Sequence, residues 1–374
     1  MDDSIKKQFH SHNECIHVAV CIDNNFSTQC AILLTSLLTS NWDNQFTIYV
    51  ITEGLSEKNK SMLVKIAKKH GALISFLKID NTLLQNFPVR EKDYISLATY
   101  YRIFFPTLLP KTLSKLLYLD SDIIVTGNIA KLWNIPLQNY ALAATYDIGN
   151  NDIRFYNRLK YDYKDGYFNA GVLLINLSYW RKHNIESKAI AYIANFPERC
   201  LWHDQDALNA VLHGSVKFIS AKYNTLITFF KINPENELLE RNLHTEILSD
   251  IQHPCIIHFA GGIKPWHYEY HKLNYPFAKL WQFYQAKSHA PLIYTHKYLF
   301  SEKTIRNNIK LFLFRIGLKE PPRDYFIDTS VIEQELLEQN RTEQNRTEQN
   351  RTEQTNLTAF SCQVPFTYSY QKVA

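Results

Sequence analysis

The stretch KLLYLDSDIIV, residues 115–125, decides both the fold class and the candidate site of this chain. Residues 115–119 are mostly apolar and predict a buried strand that ends directly before Asp120-Ser121-Asp122. Residues 123–125 are apolar again, and we expect them to continue that strand after a break. In open α/β sheets, ligands bind beyond the carboxyl ends of the strands. Two carboxylates at such an end can face one hard divalent cation that also accepts phosphate oxygens.

The Asp120-Ser121-Asp122 triplet also has an ordinary interpretation. Aspartate favours turns and helix caps for local reasons, so a triplet of this kind occurs often without a metal. The metal interpretation therefore needs support from polar residues elsewhere in the chain.

Strand and helix patterns alternate on both sides of this stretch. Apolar runs predict strands at residues 17–23, 46–51, 72–79, 140–146, 171–175, 216–219 and 255–259. Helical spacing predicts helices at residues 29–38, 56–69, 96–109, 186–195 and 204–213. Repeated strand–helix units of this length predict an α/β fold with a mainly parallel central sheet and helices on both faces. We expect residues 1–15 to form an N-terminal lead and residues 16–286 the catalytic domain.

The C-terminal part differs from the domain. Residues 287–324 contain eight Lys and Arg against three acidic residues, and apolar residues recur there at helical spacing between Ile305 and Ile316. A basic amphipathic helix of this kind, within a segment 287–330, lies on an anionic membrane surface. Packing of its apolar face on the domain is the alternative. Residues 331–374 include the repeat EQNRT at 338–354, which is polar, so we expect disorder or a solvated helix.

The composition limits the possible compartments and partners. Hydrophobic residues make up 45% and charged residues 21%, as in soluble globular proteins. The six cysteines form no CxxC pair, and residues 1–15 have no apolar signal region, so we expect reduced thiols in the cytoplasm. No apolar run is long enough to span a bilayer, which predicts a cytoplasmic protein, peripheral on the inner face of the membrane. The net charge of +5 is too modest to indicate nucleic acid as a partner.

Three further polar motifs accompany the aspartates. In HFAGGIKPW (258–266), His258 closes an apolar run, Gly261 allows close backbone approach to a phosphate, and Lys264 supplies a positive charge. In YFNAGVLLIN (167–176), Asn169 precedes small residues and a predicted strand. In HDQDALN (203–209), acidic and amide side chains begin a helix. Each motif alone could be a turn or a cap.

Together the motifs resemble glycosyltransferase family 8, particularly its bacterial lipooligosaccharide and lipopolysaccharide α-galactosyltransferases. The resemblance is carried in order by AVCIDNNF (19–26), ATYYRIFFP (98–106), LYLDSDIIV (117–125), YFNAGVLLIN, HDQDALN and HFAGGIKPW. It covers about residues 16–285. It implies a GT-A fold, a UDP-sugar donor, Mn²⁺ or alternatively Mg²⁺ as cofactor, and retention of anomeric configuration.

The resemblance also implies roles for individual residues. Mn²⁺ would be bound by Asp120, Asp122 and His258. Uracil and ribose would be held by Cys21, Asp23, Asn25 and Phe26. The diphosphate would contact Gly261 and Lys264, and the donor sugar Arg102, Asn169, Ala170, Asp204 and Gln205. Gln205 and Asp204 would lie at the reacting carbon and Asp147 on the acceptor side, which makes these three the candidate catalytic residues.

The chain departs from the family pattern at three places. Cys21-Ile22 stands where small alanines are usual, and Phe26 stands where Tyr is common. Gly262-Ile263 replaces the more usual Pro-Asp. Residues 148–166 match no specific part of the family pattern, so the resemblance implies least about which acceptor is used.

The resulting hypothesis is a retaining glycosyltransferase that moves a hexose, galactose foremost, from a UDP-sugar to a lipooligosaccharide core. Gln205 is a poor nucleophile because a neutral amide lacks charge, which favours attack from the face that UDP leaves. A UDP-glucose-dependent enzyme of the same family is one alternative, and a non-catalytic carbohydrate-binding protein is another. A nucleotidyltransferase would need a Gly-rich loop after the first strand, and AVCIDNNF contains no Gly.

Overall fold

The computed structural model describes residues 14–85, 87–88, 96–147, 153–230, 241–262, 264–267, 275–291 and 329–357. Within them the strands are β1 (Ile16–Cys21), β2 (Phe46–Thr52), β3 (Leu73–Lys78), β4 (Lys115–Leu119), β5 (Ile123–Val125), β6 (Leu142–Ala144), β7 (Val172–Asn176), β8 (Val216–Phe218), β9 (Thr225–Leu226) and β10 (Ile256–His258). The α-helices are α1 (Ser27–Thr39), α2 (Glu57–Lys69), α3 (Phe105–Leu108), α4 (Ala130–Trp133), α5 (Ile153–Leu159), α6 (Leu177–Lys182), α7 (Ile185–Asn195), α8 (His203–Leu212), α9 (Arg241–Asp250), α10 (Ala278–Ser288) and α11 (Ser330–Leu357).

The central sheet has seven strands in the order β3-β2-β1-β4-β7-β6-β8. Strands β3, β2, β1 and β4 run parallel to one another. Strand β7 is antiparallel to β4 and to β6, while β6 and β8 are parallel. The predicted α/β class with a mainly parallel sheet is confirmed.

Helices cover both faces of this sheet. Every residue of α1 is buried, because α1 lies between the sheet, α2 and α10. The opposite face is covered by α6, α7, α8 and a 3₁₀ helix at Leu97–Phe104. Each face therefore has its own apolar core, and the carboxyl ends of β1 and β4 lie between them.

The helix predicted for residues 56–69 is confirmed, and Ser56 caps it by accepting a hydrogen bond of 3.3 Å from the Asn59 N–H. The helix predicted for residues 96–109 is corrected. The chain forms the 3₁₀ helix first and only one α-helical turn, α3, after it. Pro106 lies in the first turn of α3, where its missing N–H is tolerated because the first N–H groups of a helix have no partner within it.

Residues 123–125 do not continue β4, contrary to the sequence prediction. They form β5 in a second sheet of three strands, ordered β5-β10-β9. The backbone N–H of Asp120 donates to Gly171 O at 2.8 Å, whereas Asp122 O accepts from Phe259 N at 3.0 Å. The aspartate triplet thus joins the two sheets, and its ends bond to residues directly next to β7 and β10.

The sequence analysis left disorder or a solvated helix open for residues 331–374, and residues 330–357 form helix α11. The residues ahead of the repeat make specific contacts, because Glu333 accepts a hydrogen bond of 2.8 Å from Leu280 N in the first turn of α10. Asn340 Oδ1 accepts from Tyr284 Oη at 2.6 Å and from Ser40 Oγ at 3.1 Å. Residues 358–374 lie outside the described residues.

Most of the predicted membrane segment, residues 292–328, also lies outside the described residues. In the parts of the chain that are described, no helix is both long and apolar enough to cross a membrane. The domain boundaries at residues 15, 286 and 330 stay predictions.

Candidate active site

Two carboxylates and one imidazole converge where the two sheets meet. His258 Nε2 lies 3.3 Å from Asp122 Oδ1 and 3.8 Å from Asp120 Oδ2. The three candidate ligand atoms lie within 4.8 Å of one another. Strand β10 brings His258 there because it pairs antiparallel with β5, with His258 opposite Ile123. Residues 138 positions apart in the chain thereby form one cluster, as the sequence analysis expected of the Asp–Asp–His set.

The donor set suits a divalent cation. Carboxylate oxygens and imidazole nitrogen are suitable ligands for Mn²⁺, and carboxylates also suit Mg²⁺. The side chain of Asp120 is 24% exposed, whereas those of Asp122 and His258 are 12% and 5% exposed. The cluster is therefore open on the Asp120 side, where a ligand with phosphate oxygens can reach it.

Lys264 lies against this cluster. Its ammonium group forms an ion pair with Asp122 Oδ2 and donates a hydrogen bond of 2.9 Å to Phe259 O. Burial opposes ionisation of Asp122, but Lys264 and His258 outweigh it and hold the pKa of this carboxyl below its ordinary value. Asp122 is consequently a carboxylate at neutral pH, which is the form that binds metal.

Arg102 connects the metal candidates to the HDQD motif. It is 4% exposed, and its guanidinium donates to Asp120 Oδ1 at 3.0 Å and lies 2.9 Å from Asp204 Oδ2. The Tyr118 hydroxyl donates to the same Asp120 oxygen, and the Arg102 guanidinium stacks 4.3 Å above the Tyr118 ring. Burial raises the pKa of Asp204 above its ordinary value, and Arg102 offsets part of that effect. The sequence analysis did not identify Tyr118, which looks like an ordinary strand residue.

Gln205 is held by hydrogen bonds at both ends of its amide. Its Oε1 accepts from Ala170 N at 2.9 Å, while its Nε2 donates to Asp147 Oδ2 at 3.1 Å and to the Tyr167 hydroxyl at 3.2 Å. Asn169 Nδ2 also donates to Asp147 Oδ2, at 3.1 Å. Of the three candidate catalytic residues, Asp147 and Gln205 are therefore in direct contact, whereas the side chain of Asp204 contacts Arg102.

Asn224 is a buried residue of this site that sequence reasoning missed. It is 0% exposed. Its Oδ1 lies 3.0 Å from His258 Nδ1, and its Nδ2 donates to Asn169 Oδ1 at 2.9 Å. A lone Asn before the two-residue strand β9 carries no sequence signal. The pairing of β9 with β10 places it, since Leu226 lies opposite His258.

The residues expected to hold the nucleotide follow the carboxyl end of β1. Asp23 Oδ1 accepts from Asn25 N at 2.8 Å and from Phe26 N at 3.2 Å, which shapes the turn at Asn24–Phe26. The ring of Phe26 meets that of Trp266 edge to face, with centroids 6.0 Å apart. Burial raises the pKa of the Cys21 thiol, so Cys21 is neutral at the end of β1.

Gly261 occupies an exposed turn between His258 and Lys264. Its φ of 106° lies in the left-handed region, and no atom of the described residues lies within 4 Å of an added Cβ. A side chain would strain the backbone here although there is space for one. The space beside Gly261 is open, and its contact with a diphosphate stays a prediction.

The comparisons with known proteins agree with this geometry. The family model "Glycosyl transferase family 8" matches residues 17–270. The chain belongs to glycosyltransferase family 8. A relative in Bacillus subtilis strain 168, general stress protein A, is 33% identical over 262 residues, covering 68% of this chain and 88% of the relative. The lipopolysaccharide 1,3-galactosyltransferase of Salmonella typhimurium LT2 is 27% identical over 327 residues, covering 81% and 91%.

Further matches in family 8 include the lipopolysaccharide 1,2-glucosyltransferase of Escherichia coli K12, 28% identical over 256 residues, with 68% of this chain and 74% of the relative covered. Among solved structures, the galactosyltransferase LgtC in complex with donor and acceptor sugar analogues matches with a TM-score of 0.66 and 24% identity, covering 73% of this chain and 96% of LgtC. The shared fold is GT-A, as expected. This family 8 member is a glycosyltransferase.

Proposed function

We propose that the chain transfers a hexose from a UDP-sugar to a glycan acceptor of the lipopolysaccharide type, with retention of anomeric configuration. The observation that carries this proposal is the convergence of Asp120, Asp122 and His258 beside Lys264. Membership of family 8 supports a sugar-nucleotide donor, and relatives named for lipopolysaccharide transfer support the acceptor class.

Asp120, Asp122 and His258 would hold the metal ion, Mn²⁺ in the first place or Mg²⁺. When bound, such an ion neutralises charge that develops on a departing diphosphate. Lys264 adds a second positive charge at the same place, because its ammonium group already lies on the Asp122 side of the cluster. Gly261 would offer its backbone to the diphosphate.

The nucleoside would lie along the turn after β1. Phe26 offers a ring face to uracil, and Asp23 and Asn25 offer polar groups to the base and ribose, with Cys21 beneath them. Asp23 already orders this turn through its two backbone hydrogen bonds, so its position is fixed before the donor binds. Pre-ordering lowers the entropic cost of binding.

The donor sugar would lie between Arg102, Asp204, Gln205, Asn169 and Ala170. Gln205 is bonded to Ala170 N through its oxygen and to Asp147 through its nitrogen. A neutral amide held in this way is a weak nucleophile, which supports attack of the acceptor hydroxyl from the face that UDP leaves. The leaving phosphate oxygen would then take the acceptor proton. Asp147, on the acceptor side, would orient Gln205 and Asn169 toward the sugar.

Galactose is the first donor candidate, and glucose is the second. The same family contains a lipopolysaccharide galactosyltransferase and lipopolysaccharide glucosyltransferases among the relatives of this chain. The two sugars differ at one hydroxyl, so a single hydrogen bond decides between them. Incubating the protein with UDP-galactose, UDP-glucose and truncated lipooligosaccharides, followed by mass spectrometry, measures the donor and the acceptor together.

We also propose that the protein acts in the cytoplasm, on the inner face of the membrane, through the basic segment 287–324. Sedimentation with phosphatidylglycerol vesicles tests this, with phosphatidylcholine vesicles as the control. Binding to the anionic vesicles alone, lost when Lys303, Arg306 and Lys310 are replaced by Gln, is the expected result. Equal binding to both vesicles, or none, would contradict it.

UDP release from a UDP-sugar distinguishes an enzyme from a carbohydrate-binding protein on the same fold. The proposed enzyme releases UDP when Mn²⁺ is present and stops when the ion is chelated. Release that stays at the uncatalysed rate with every donor and acceptor tested would favour the binding protein.

A further inference from the structure

A chain of buried side chains runs from Asp147 to the imidazole of His258. Asp147 accepts from Asn169 Nδ2 at 3.1 Å, Asn169 Oδ1 accepts from Asn224 Nδ2 at 2.9 Å, and Asn224 Oδ1 lies 3.0 Å from His258 Nδ1. All four residues are at most 6% exposed. The chain therefore joins the acceptor side of the site to the candidate metal ligand without passing through solvent.

Two groups at the Asp147 end fix the direction of every hydrogen bond in this chain. Asp147 Oδ2 accepts from Asn169 Nδ2, which places the nitrogen of Asn169 on the Asp147 side. The backbone N–H of Gly171 can only donate, and it donates to Asn169 Oδ1 at 2.9 Å, so the oxygen of Asn169 must lie on the other side. Asn169 has one possible orientation.

The orientation of Asn169 determines that of its neighbour. Because Asn169 presents an oxygen, Asn224 must present its nitrogen to it and turn its own oxygen toward His258. An amide oxygen can only accept, so His258 Nδ1 must carry a proton. With a proton on Nδ1, the imidazole can offer the lone pair of Nε2 to a metal ion, and Nε2 is the atom that faces Asp120 and Asp122.

We propose that Asn224 is a positioning residue that sets the tautomer of His258, with Asn169 and Asp147 fixing its orientation. The inference rests on the proposed function, because that function supplies the metal ion that Nε2 would bind. Ligating histidines are commonly oriented by a hydrogen bond to the other ring nitrogen, and losing that bond typically weakens metal affinity about 10- to 100-fold. Here the acceptor is the neutral side-chain amide of Asn224, and its orientation is set by hydrogen bonds through Asn169 to Asp147.

Nuclear magnetic resonance of the full chain labelled with ¹⁵N-histidine tests the tautomer directly. The spectrum is recorded at pH 8 with a chelator, and a His258→Gln variant assigns the signal. The wild-type protein is expected to show a proton on Nδ1 of His258, the atom that faces Asn224 Oδ1. An Nδ1 without a proton in the wild type would overturn the inference without any variant.

Two variants of Asn224 separate its hydrogen bond from its volume. Asn224→Leu removes the acceptor, and we expect a mixture of His258 tautomers and Mn²⁺ binding weakened about 10- to 100-fold, measured by electron paramagnetic resonance of free Mn²⁺. Asn224→Asp keeps an acceptor for Nδ1–H, and we expect it to retain the wild-type tautomer. Wild-type tautomer and affinity in the Leu variant would overturn the inference.

Thr225→Val is the matched control. Thr225 is also 0% exposed, and its hydroxyl donates to Ala221 O at 3.0 Å, so the change disturbs the same turn without touching His258. It should keep the wild-type tautomer and Mn²⁺ affinity. Absence of Mn²⁺ binding in the wild type would contradict the proposed metal site but not the tautomer, so the two failures are distinguishable.

Discussion

Gly171 lies directly against the imidazole of His258, one of the candidate metal ligands, so a side chain at this position would displace the ring. A Cβ added there would lie 2.1 Å from His258 Cε1 and 2.6 Å from Nδ1. Ordinary carbon–carbon contact begins near 3.5 Å, so in Gly171→Ala the imidazole must retreat by about 1.4 Å. A misplacement of about 1 Å costs on the order of 100-fold in rate, which corresponds to about 2.7 kcal/mol. We expect kcat for Mn²⁺-dependent transfer to fall by that factor.

The protein should still fold, because overpacking costs about 1–3 kcal/mol against a typical stability of about 5–15 kcal/mol. Circular dichroism and thermal unfolding check this, while Mn²⁺ titration and initial rates of UDP release measure the site. Gly54→Ala is the control, since within the described part of the chain no atom lies within 4 Å of a Cβ added at Gly54. If Gly171→Ala kept the wild-type rate and Mn²⁺ affinity, His258 would not be held where this reasoning places it.

Three other predictions follow from single contacts. Asp122→Asn should reduce Mn²⁺-dependent UDP release by about 100-fold or more, because metal-ion stabilisation is worth several kcal/mol; an unchanged initial rate would exclude Asp122 as a ligand. Glu333→Ala should lower the free energy of unfolding by about 1 kcal/mol, since it removes the acceptor for Leu280 N at the start of α10; the exposed Glu335→Ala should not, and equal thermal midpoints would refute the cap. At pH 8, iodoacetamide should label Cys15 before Cys30, because burial raises the pKa of Cys30 to about 12; mass spectrometry that finds Cys30 modified first would contradict this.

Local patterns in the sequence were sufficient for most of the central sheet. The apolar runs that became β1, β2 and β4 are short, bounded by polar residues and separated by helical spacing, so strand type and parallel order follow from them. The cap at Ser56 and the buried helix α1 likewise follow from residues that are close together in the sequence. Long-range pairing is not local, and it is where the predictions were wrong. Nothing in IIV at 123–125 indicates that its partner is β10, more than a hundred residues away.

Some residues of the candidate site could likewise be predicted from local sequence motifs, and others could not. Asp120, Asp122, His258 and Lys264 lie in motifs whose order resembles a family, so they could be named from sequence. Asn224 could not, because its role depends on the register of β9 against β10. The contacts of helix α11 could not be predicted for a related reason. The polar repeat indicates a solvated chain, whereas Glu333 just before it bonds to Leu280 in α10, and Asn340 within it bonds to Tyr284 in α10 and to Ser40 just after α1.

The proposed metal centre is tested most directly by UDP release from a UDP-hexose. Release by the full chain is measured before metal removal, after chelation and after Mn²⁺ is restored. The arrangement of Asp120, Asp122 and His258 predicts release that stops on chelation, returns with Mn²⁺, and does not return in a His258→Ala variant at the same metal concentration. Release that continues at full rate in the chelated protein, or that is equal in the His258→Ala variant, would contradict a metal-dependent site at these residues.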